Sequence, residues 1–292
     1  MDDTTNENWS LAEMARRLDA SGDYRILRRI DETTLNLTSA SDDEPTRVGV
    51  VIDVETEGLG SDHAIIELAV RRFRFNDAGR ITAIGEVRVW REDPGRPLDP
   101  AITTLTGLTD ADLAGQTIDD AAAAAILTSA DIVIAHNACF DRPRVESRLP
   151  EADNLAWGCS CKDVDWSGLG FDGRSLGYLL TQMGWFYPQH RAETDILALL
   201  HLLTHELGDG TTVLSQLVAE AEKPTVRVEA IDTPYATKDA LKARGYTWQP
   251  NPKLWWIEVD EDDVVDEQLW LQRNGCHRAP HLTKMTWLTR HR

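Results

Sequence analysis

The stretch Val48-Gly-Val-Val-Ile-Asp-Val-Glu-Thr-Glu-Gly-Leu59 constrains the fold more than any other part of this chain. Its apolar run predicts a buried β-strand near 48–55, and two carboxylates, Asp53 and Glu55, stand two residues apart within it. Side chains alternate along a strand, so residues at i and i+2 point from the same face of a sheet. A buried charge without a partner is strongly unfavourable, so acids on the packed face of such a strand require something that binds them. Divalent metal fits that need. Hard cations take carboxylate oxygens, and two of them roughly 3.5–4 Å apart form a common machinery for phosphodiester cleavage. Taken alone, the pair is equally compatible with an edge strand whose acids face water.

Two further segments carry acids in comparable places. Asp131-Ile-Val-Ile-Ala-His-Asn-Ala-Cys-Phe-Asp141 reads as a second buried strand, 132–135, that turns through His136-Asn137 into a helix starting near Cys139 or Phe140. Asp141 then falls in the first turn of that helix, at a strand end, where open α/β sheets place their ligand sites. Gln189-His-Arg-Ala-Glu-Thr-Asp195 opens an apolar helix with Asp195 in its first turn and His190 on the loop before it. A lone His before a helix is ordinarily a surface or capping residue. Three acid-bearing elements with a His at this spacing ask for more than that.

On these residues the chain resembles the DnaQ-like 3′–5′ exonucleases, the superfamily named for its Asp-Glu-Asp-Asp set, in the subgroup that uses His as base. The proofreading exonuclease subunit of bacterial DNA polymerase III belongs to the same superfamily. Asp53-Val-Glu-Thr-Glu-Gly-Leu59 is similar to the first motif, His136-Asn-Ala-Cys-Phe-Asp141 to the second, and His190-Arg-Ala-Glu-Thr-Asp195 to the third. Leu105-Thr-Gly-Leu-Thr109 with Asp112-Leu113 resembles the substrate-contacting segment between the first two. The sister subgroup has Tyr four residues before the last Asp; Arg191 stands there, which favours the His form. The likeness covers about residues 47–208. Glu57 departs from a common second Thr and Cys139 from a small or basic residue, and neither is an expected ligand.

The resemblance implies Mg²⁺ or Mn²⁺, two ions per site, held by Asp53, Glu55, Asp141 and Asp195, with His190 as general base. A neutral imidazole suits that task because its ordinary pKa lies near ~6.5. Thr56, Leu59, Thr106, His136, Asn137 and Phe140 are the implied substrate contacts. The expected reaction releases nucleoside 5′-monophosphates from the 3′ end of a nucleic acid, with DNA favoured and a single strand or frayed end as substrate. Exonucleolytic trimming of short RNA is the alternative, as is a recruitment subunit acting through residues 224–292.

No stretch approaches the roughly 18 uninterrupted apolar residues of a membrane span, and the first residues are acidic and polar, so neither a span nor a secretory signal is expected. That reading predicts a cytoplasmic protein. Cys139, Cys159, Cys161 and Cys276 lack the paired spacing of a zinc site and are expected as reduced, structural thiols. The formal net charge is −19, and all of the excess lies in residues 1–223, which hold 20 Lys+Arg against 39 Asp+Glu. Such a surface repels a long polyanion, so the expected grip is on a short stretch of strand through metals and local contacts.

The expected fold class is α/β: a ribonuclease-H-like mixed sheet flanked by helices, with an N-terminal helical arm and a small α+β, Trp-rich C-terminal domain. In the arm and linker, 1–46, Ser10-Leu-Ala-Glu13 is a capping-box signature that opens a helix bearing Leu11, Met14, Ala15 and Leu18 on one face. A second short helix is expected over 24–30 and a linker over 38–46. The arm is expected to pack on the core or, alternatively, to dock a protein partner.

The exonuclease domain, 47–223, reads as strands near 48–55, 63–75 and 81–91, then a Pro-rich loop (Pro94, Pro97, Pro100). A helix near 119–129 and the strand 131–135 follow, with further helices near 140–149, 174–184, 192–207 and 213–221. Lys223-Pro224 marks the boundary to 224–292, where a strand (225–231), a helix (237–244) and a hairpin around Gln249-Pro-Asn-Pro-Lys253 are expected. That segment carries five of the ten Trp residues. They serve either as its aromatic core or as a stacking platform for unpaired bases. Alternation puts Trp255 and Trp256 on opposite faces.

Overall fold

The computed structural model describes residues 9–39, 44–58, 60 and 63–292. Residues 1–8, part of the expected linker, and Leu59 lie outside the described residues. Helix α1 (Leu11–Ala20) begins where Ser10 accepts the backbone N–H of Glu13, as the capping signature requires. It buries none of its residues, so the expected packing of the arm's apolar face on the core is not found. No helix forms over 24–30. Instead Arg28–Arg29 (β1) runs extended and pairs in parallel with Trp185–Phe186 (β7), and Ile30 inserts into the core. That pairing and burial override a weak local helix preference.

The main sheet has the order β4-β3-β2-β5-β6. Its strands are β2 (Thr46–Thr56), β3 (Ile65–Asn76), β4 (Ile81–Arg91), β5 (Ile132–Ala135) and β6 (Trp157–Cys159). β2 pairs antiparallel with β3 and parallel with β5. The strand carrying Asp53 and Glu55 is therefore the central one, which removes the water-facing edge as an explanation for its acids. Between β4 and β5 lie three helices: α2 (Pro100–Thr106), α3 (Asp110–Leu113) and α4 (Asp120–Thr128). The first two were not expected. Asp99 accepts the N–H of Ala101, and Pro100 occupies the first helical position, where its fixed φ favours a helix start.

Helix α5 (Ala138–Arg148) follows β5, then α6 (Leu176–Gln182), α7 (Ala192–Leu203) and α8 (Val213–Glu222). The parity of β2 divides the core. Val50, Ile52 and Val54 pack with Ala123 and Leu127 of α4 and Val145 of α5. Val51 packs on the opposite side with Leu179, Ile196, Leu199, Leu200 and Leu217 of α6, α7 and α8. The result is a mixed sheet with helices on both faces, the ribonuclease-H-like arrangement. β6 escapes a sequence reading because three residues show no periodicity; burial on both faces makes it a strand.

A second, antiparallel sheet has the order β11-β8-β10-β9. It comprises β8 (Thr225–Ala230), β9 (Thr247–Pro250), β10 (Lys253–Asp260) and β11 (His281–Met285), covered by α9 (Lys238–Arg244) and α10 (Val264–Arg273). α10 and β11 were not expected. Val228, Leu241, Tyr246, Trp255 and Leu271 form its core. Trp256 points the other way, with the Arg227 guanidinium 4.4 Å from its ring centroid.

Residues 286–292 return to the first sheet. Trp287 packs against the α6–α8 core and its carbonyl accepts the N–H of Trp157 at 2.9 Å. The fully buried guanidinium of Arg142 donates to the carbonyls of Trp287 (3.1 Å), Arg290 (2.7 Å) and Leu288 (2.5 Å). Among the described residues no helix is long and apolar enough to cross a membrane.

Candidate active site

Asp53 and Glu55 share the parity of Val51, so both leave β2 on the α7 side. α7 points its N-terminal turn at them and supplies Asp195. The structure brings one oxygen of each of Asp53, Glu55 and Asp195 within 4.8 Å of one another. Asp141 arrives from the opposite layer, on the first turn of α5. It is 2% exposed, and its Oδ1 accepts the N–H of Val54 at 3.1 Å, which ties α5 to the strand between the two acids.

The electrostatics follow from this crowding. Burial, then the charges of Asp141, Asp195 and Glu55, push Asp53 well above the usual carboxylate range. Burial and the neighbouring Asp195 and Glu67 raise Glu55 to about 7, against a smaller opposing pull from Arg191. Asp141 and Asp195 are raised too, chiefly by burial. Four carboxylates that resist ionisation together are an arrangement short of positive charge. The set around Asp53, Glu55 and Asp195 offers only oxygen, which suits a hard divalent cation. The four cysteines are free, and Cys159 is committed elsewhere: its sulfur accepts the N–H of Ala138.

Asp195 is held at both oxygens. Tyr187 donates its hydroxyl to Oδ1 at 2.8 Å, and the backbone N–H of Arg191 donates to Oδ2 at 3.0 Å. His190 is exposed on the preceding loop, in left-handed backbone at φ 67°, near enough for its charge to favour ionised Asp195. Histidine is among the few non-glycine residues that adopt this region with some frequency.

The other expected contacts lie around this centre in differing states. Asn137, also left-handed at φ 71°, is exposed at the start of α5, and its Oδ1 accepts from the Cys139 thiol. Phe140 is half-buried with the Arg144 guanidinium 3.7 Å from its ring centroid. Burial lowers His136 to about 4, and its Nδ1 lies 2.8 Å from the Ser160 hydroxyl. Thr56 is buried and donates its hydroxyl to the Gly58 carbonyl. Thr106 is buried too: its hydroxyl donates to the Ile102 carbonyl and accepts the Leu108 N–H, both within its own turn. Glu57 bridges its loop. It accepts from Ala64 N–H and from Arg96, which holds it near 2, well below its ordinary value.

Two residues of the site were missed in the sequence. Glu67 lies opposite Glu55 in the β2–β3 register, is almost fully buried, and accepts from Arg91 Nε at 2.9 Å and from Ala192 N–H at 3.1 Å. It thereby ties β3 to the first turn of α7. The signal was available: an acid inside Ile65-Ile-Glu-Leu-Ala-Val70 invites the same question as Asp53. Tyr187 had no such signal, because a Pro-interrupted loop separates it from Asp195.

Residues 50–203 match the sequence profile of a family described as exonuclease, of the RNase T type. Among solved structures, exonuclease X in complex with 5′-overhanging duplex DNA is similar at 22% identity and a TM-score of 0.43, over 57% of this chain and 99% of that one. The zinc-bound complex of Escherichia coli exonuclease I with single-stranded DNA is similar at 16% identity and a TM-score of 0.48, over 84% of this chain and 66% of that one. A further exonuclease I structure gives 15% identity and a TM-score of 0.49, over 83% and 63%. The chain thus spans just under two thirds of the exonuclease I chains. No curated protein matches it in sequence.

Proposed function

Because this chain belongs to the RNase T-type exonuclease family, within the DnaQ-like 3′–5′ exonucleases, we propose that it removes nucleoside 5′-monophosphates one at a time from the 3′ end of single-stranded or frayed nucleic acid, DNA in the first place. The observation that carries this reading is the convergence of Asp53, Glu55 and Asp195 within 4.8 Å, on the central strand and the start of α7. Buried carboxylates with raised proton affinity make a site that divalent metal relieves.

Asp53, Glu55 and Asp195 would hold one Mg²⁺ or Mn²⁺, and Asp53 with Asp141 a second. Bound there, the ions supply Lewis acidity to the terminal phosphate and its attacking water. His190 takes the proton of that water at a ring nitrogen as the water oxygen attacks phosphorus. The bond from phosphorus to the 3′ oxygen breaks, that oxygen takes a proton from solvent, and the strand is left one nucleotide shorter with a free 3′ hydroxyl. Tyr187 and the Arg191 N–H keep Asp195 oriented throughout, and Glu67 fixes the helix that carries it. Asn137 and Phe140 flank the second-layer acid, Asp141, where a terminal nucleotide would lie. Thr56, His136 and Thr106 would complete the substrate contacts.

A digest of single-stranded DNA, duplex DNA and RNA oligomers of matched sequence, each labelled at the 5′ end, tests the proposal. A ladder that shortens stepwise, keeps its label, requires Mg²⁺ or Mn²⁺ and stops in EDTA supports it. Immediate release of labelled mononucleotide would reverse the direction, and cleavage that persists in EDTA would remove the metal.

A further inference from the structure

Lysine is scarce in this chain: six residues among 30 cations. Three of the six meet in one cleft of the second sheet, about 480 Å³ in volume, lined by Lys238, Lys242, Lys253, Tyr235, Trp248 and Trp255. The other three are engaged. Lys223 pairs with Asp260, Lys284 with Glu261, and Lys162 donates to the Cys139 thiol. Among the described residues no carboxylate forms an ion pair with Lys238, Lys242 or Lys253. Asp232, which also borders the cleft, is taken up by Arg278.

The local fold explains the gathering. Lys238 and Lys242 are four residues apart on α9 and therefore lie on one face. Lys253 opens β10, immediately after the turn from β9. Trp248 and Trp255 are cross-strand partners. Trp255, 7% exposed, belongs to the domain core, whereas Trp248 is 44% exposed with its ring centroid 5.3 Å away. The buried ring thus props an open one. Tyr235 is 85% exposed, and the Lys238 ammonium lies 5.4 Å from its ring centroid. A protein with a net charge of −19 has concentrated uncompensated cations and open aromatic faces in one place.

We propose that this cleft binds single-stranded nucleic acid: an unpaired base stacks on Trp248 beside Tyr235, and the adjoining phosphates lie against Lys238, Lys242 and Lys253. Flat rings accept any base, and ammonium groups neutralise phosphates without reading sequence. The inference rests on the exonuclease reading in that such a strand is the enzyme's substrate. The cleft supplies the positive anchorage that the acidic nuclease surface lacks.

The test uses the full chain and two variants, the triple Lys238→Ala/Lys242→Ala/Lys253→Ala and the single Trp248→Ala. Fluorescence anisotropy reads the affinity for a labelled thymidine oligomer of about twenty nucleotides in EDTA at several salt concentrations. Mg²⁺-dependent hydrolysis of the p-nitrophenyl ester of thymidine 5′-monophosphate, which offers a single nucleotide with no neighbouring base or phosphate, reports the active site separately. Trp248→Ala should weaken oligomer binding roughly five- to 150-fold, the range for one stacked base. The triple variant should weaken it at least about tenfold and flatten the salt dependence by roughly two log units per log unit of salt. Ester hydrolysis should stay at the parent rate in both. Unchanged affinity and salt slope in the triple variant overturn the proposal. So does an equal loss on oligomer and ester, and so does tighter binding of an acidic, aromatic-containing peptide than of the oligomer. A parent chain that binds the oligomer through these residues but cleaves neither substrate would sustain the cleft and refute the exonuclease reading.

Discussion

Tyr187 donates its hydroxyl to Oδ1 of Asp195 at 2.8 Å, while the other oxygen of that carboxylate takes the Arg191 N–H. The phenol is the only side chain among the described residues to hydrogen-bond this carboxylate, and it favours the ionised form that a cation requires. Tyr187→Phe should leave the fold intact, because the ring stays in place. A hydrogen bond to a charged group contributes about 1.5–3 kcal/mol, so turnover at limiting Mg²⁺ should fall roughly ten- to a hundredfold. Raising Mg²⁺ should restore much of it. A titration of rate against metal in parent and variant measures this, and coincident curves would remove Tyr187 from the site.

The acid cluster makes a second outcome depend on pH with a definite sign. Glu55 is raised from near 4.5 to about 7, and Asp53, Asp141 and Asp195 are raised in the same direction. A carboxylate whose folded pKa exceeds its unfolded value favours the folded state at low pH and loses that contribution as pH climbs through the folded value. Metal-free protein should therefore lose stability between about pH 4.5 and pH 8, and Mg²⁺ should recover it at the upper end. Asp53→Asn should abolish turnover yet raise Tm in EDTA near pH 8, with little effect near pH 5. Thermal melts across that range check it. A variant that melts earlier than its parent at high pH would make Asp53 structural.

How far the sequence spoke for this site depends on how local each feature is. That Asp53 and Glu55 share a face follows from strand parity alone, and the first-turn positions of Asp141 and Asp195 follow from where apolar helices begin. Glu67 and Tyr187 reach Ala192 and Asp195 through register and loop path, which no window of sequence contains. The same limit governs the fold. Residues 24–30 read as helix locally but are claimed by Gly184 and Phe186, whose carbonyls accept from Arg28 and Ile30. β6 exists because β5 offers it an edge, and its three residues carry no pattern of their own. Thr106 illustrates the converse: a hydroxyl in a segment expected to contact substrate is drawn inward by the end of its own short helix.

His190→Ala addresses the proton. The residue is exposed and offers no ligand atom to the cluster of Asp53, Glu55 and Asp195, so cation affinity should change little. The rate should fall by about 10²–10⁴, the range for loss of a general base. Calorimetric Mn²⁺ binding alongside kcat separates the roles. A collapse of Mn²⁺ affinity would make His190 a ligand.

Asp141 faces the site, while Arg142, its neighbour on α5, binds residues 286–292. Arg142 has no exposed surface, and its guanidinium donates to Glu146 and to the carbonyls of Trp287, Leu288 and Arg290. Arg290 in turn reaches the carbonyls of Ala221 and Lys223 and the carboxylate of Glu258, and so ties the end of α8 to the second sheet. Deleting 286–292 leaves a buried charge short of three acceptors and a gap where Trp287 packed. Removing one partner of a buried charge destabilises by about 3–5 kcal/mol, and the lost aromatic adds to that. The truncated chain should melt well below the parent and lose nuclease activity at temperatures where the parent is fully active. Arg142→Met, which removes the charge and keeps an apolar stem, should recover part of the Tm in the truncated background while costing stability in the full chain. Melting all four combinations gives the coupling directly. Additive effects would mean that Arg142 and residues 286–292 stabilise the fold independently, and that the helix bearing Asp141 does not depend on the returning segment.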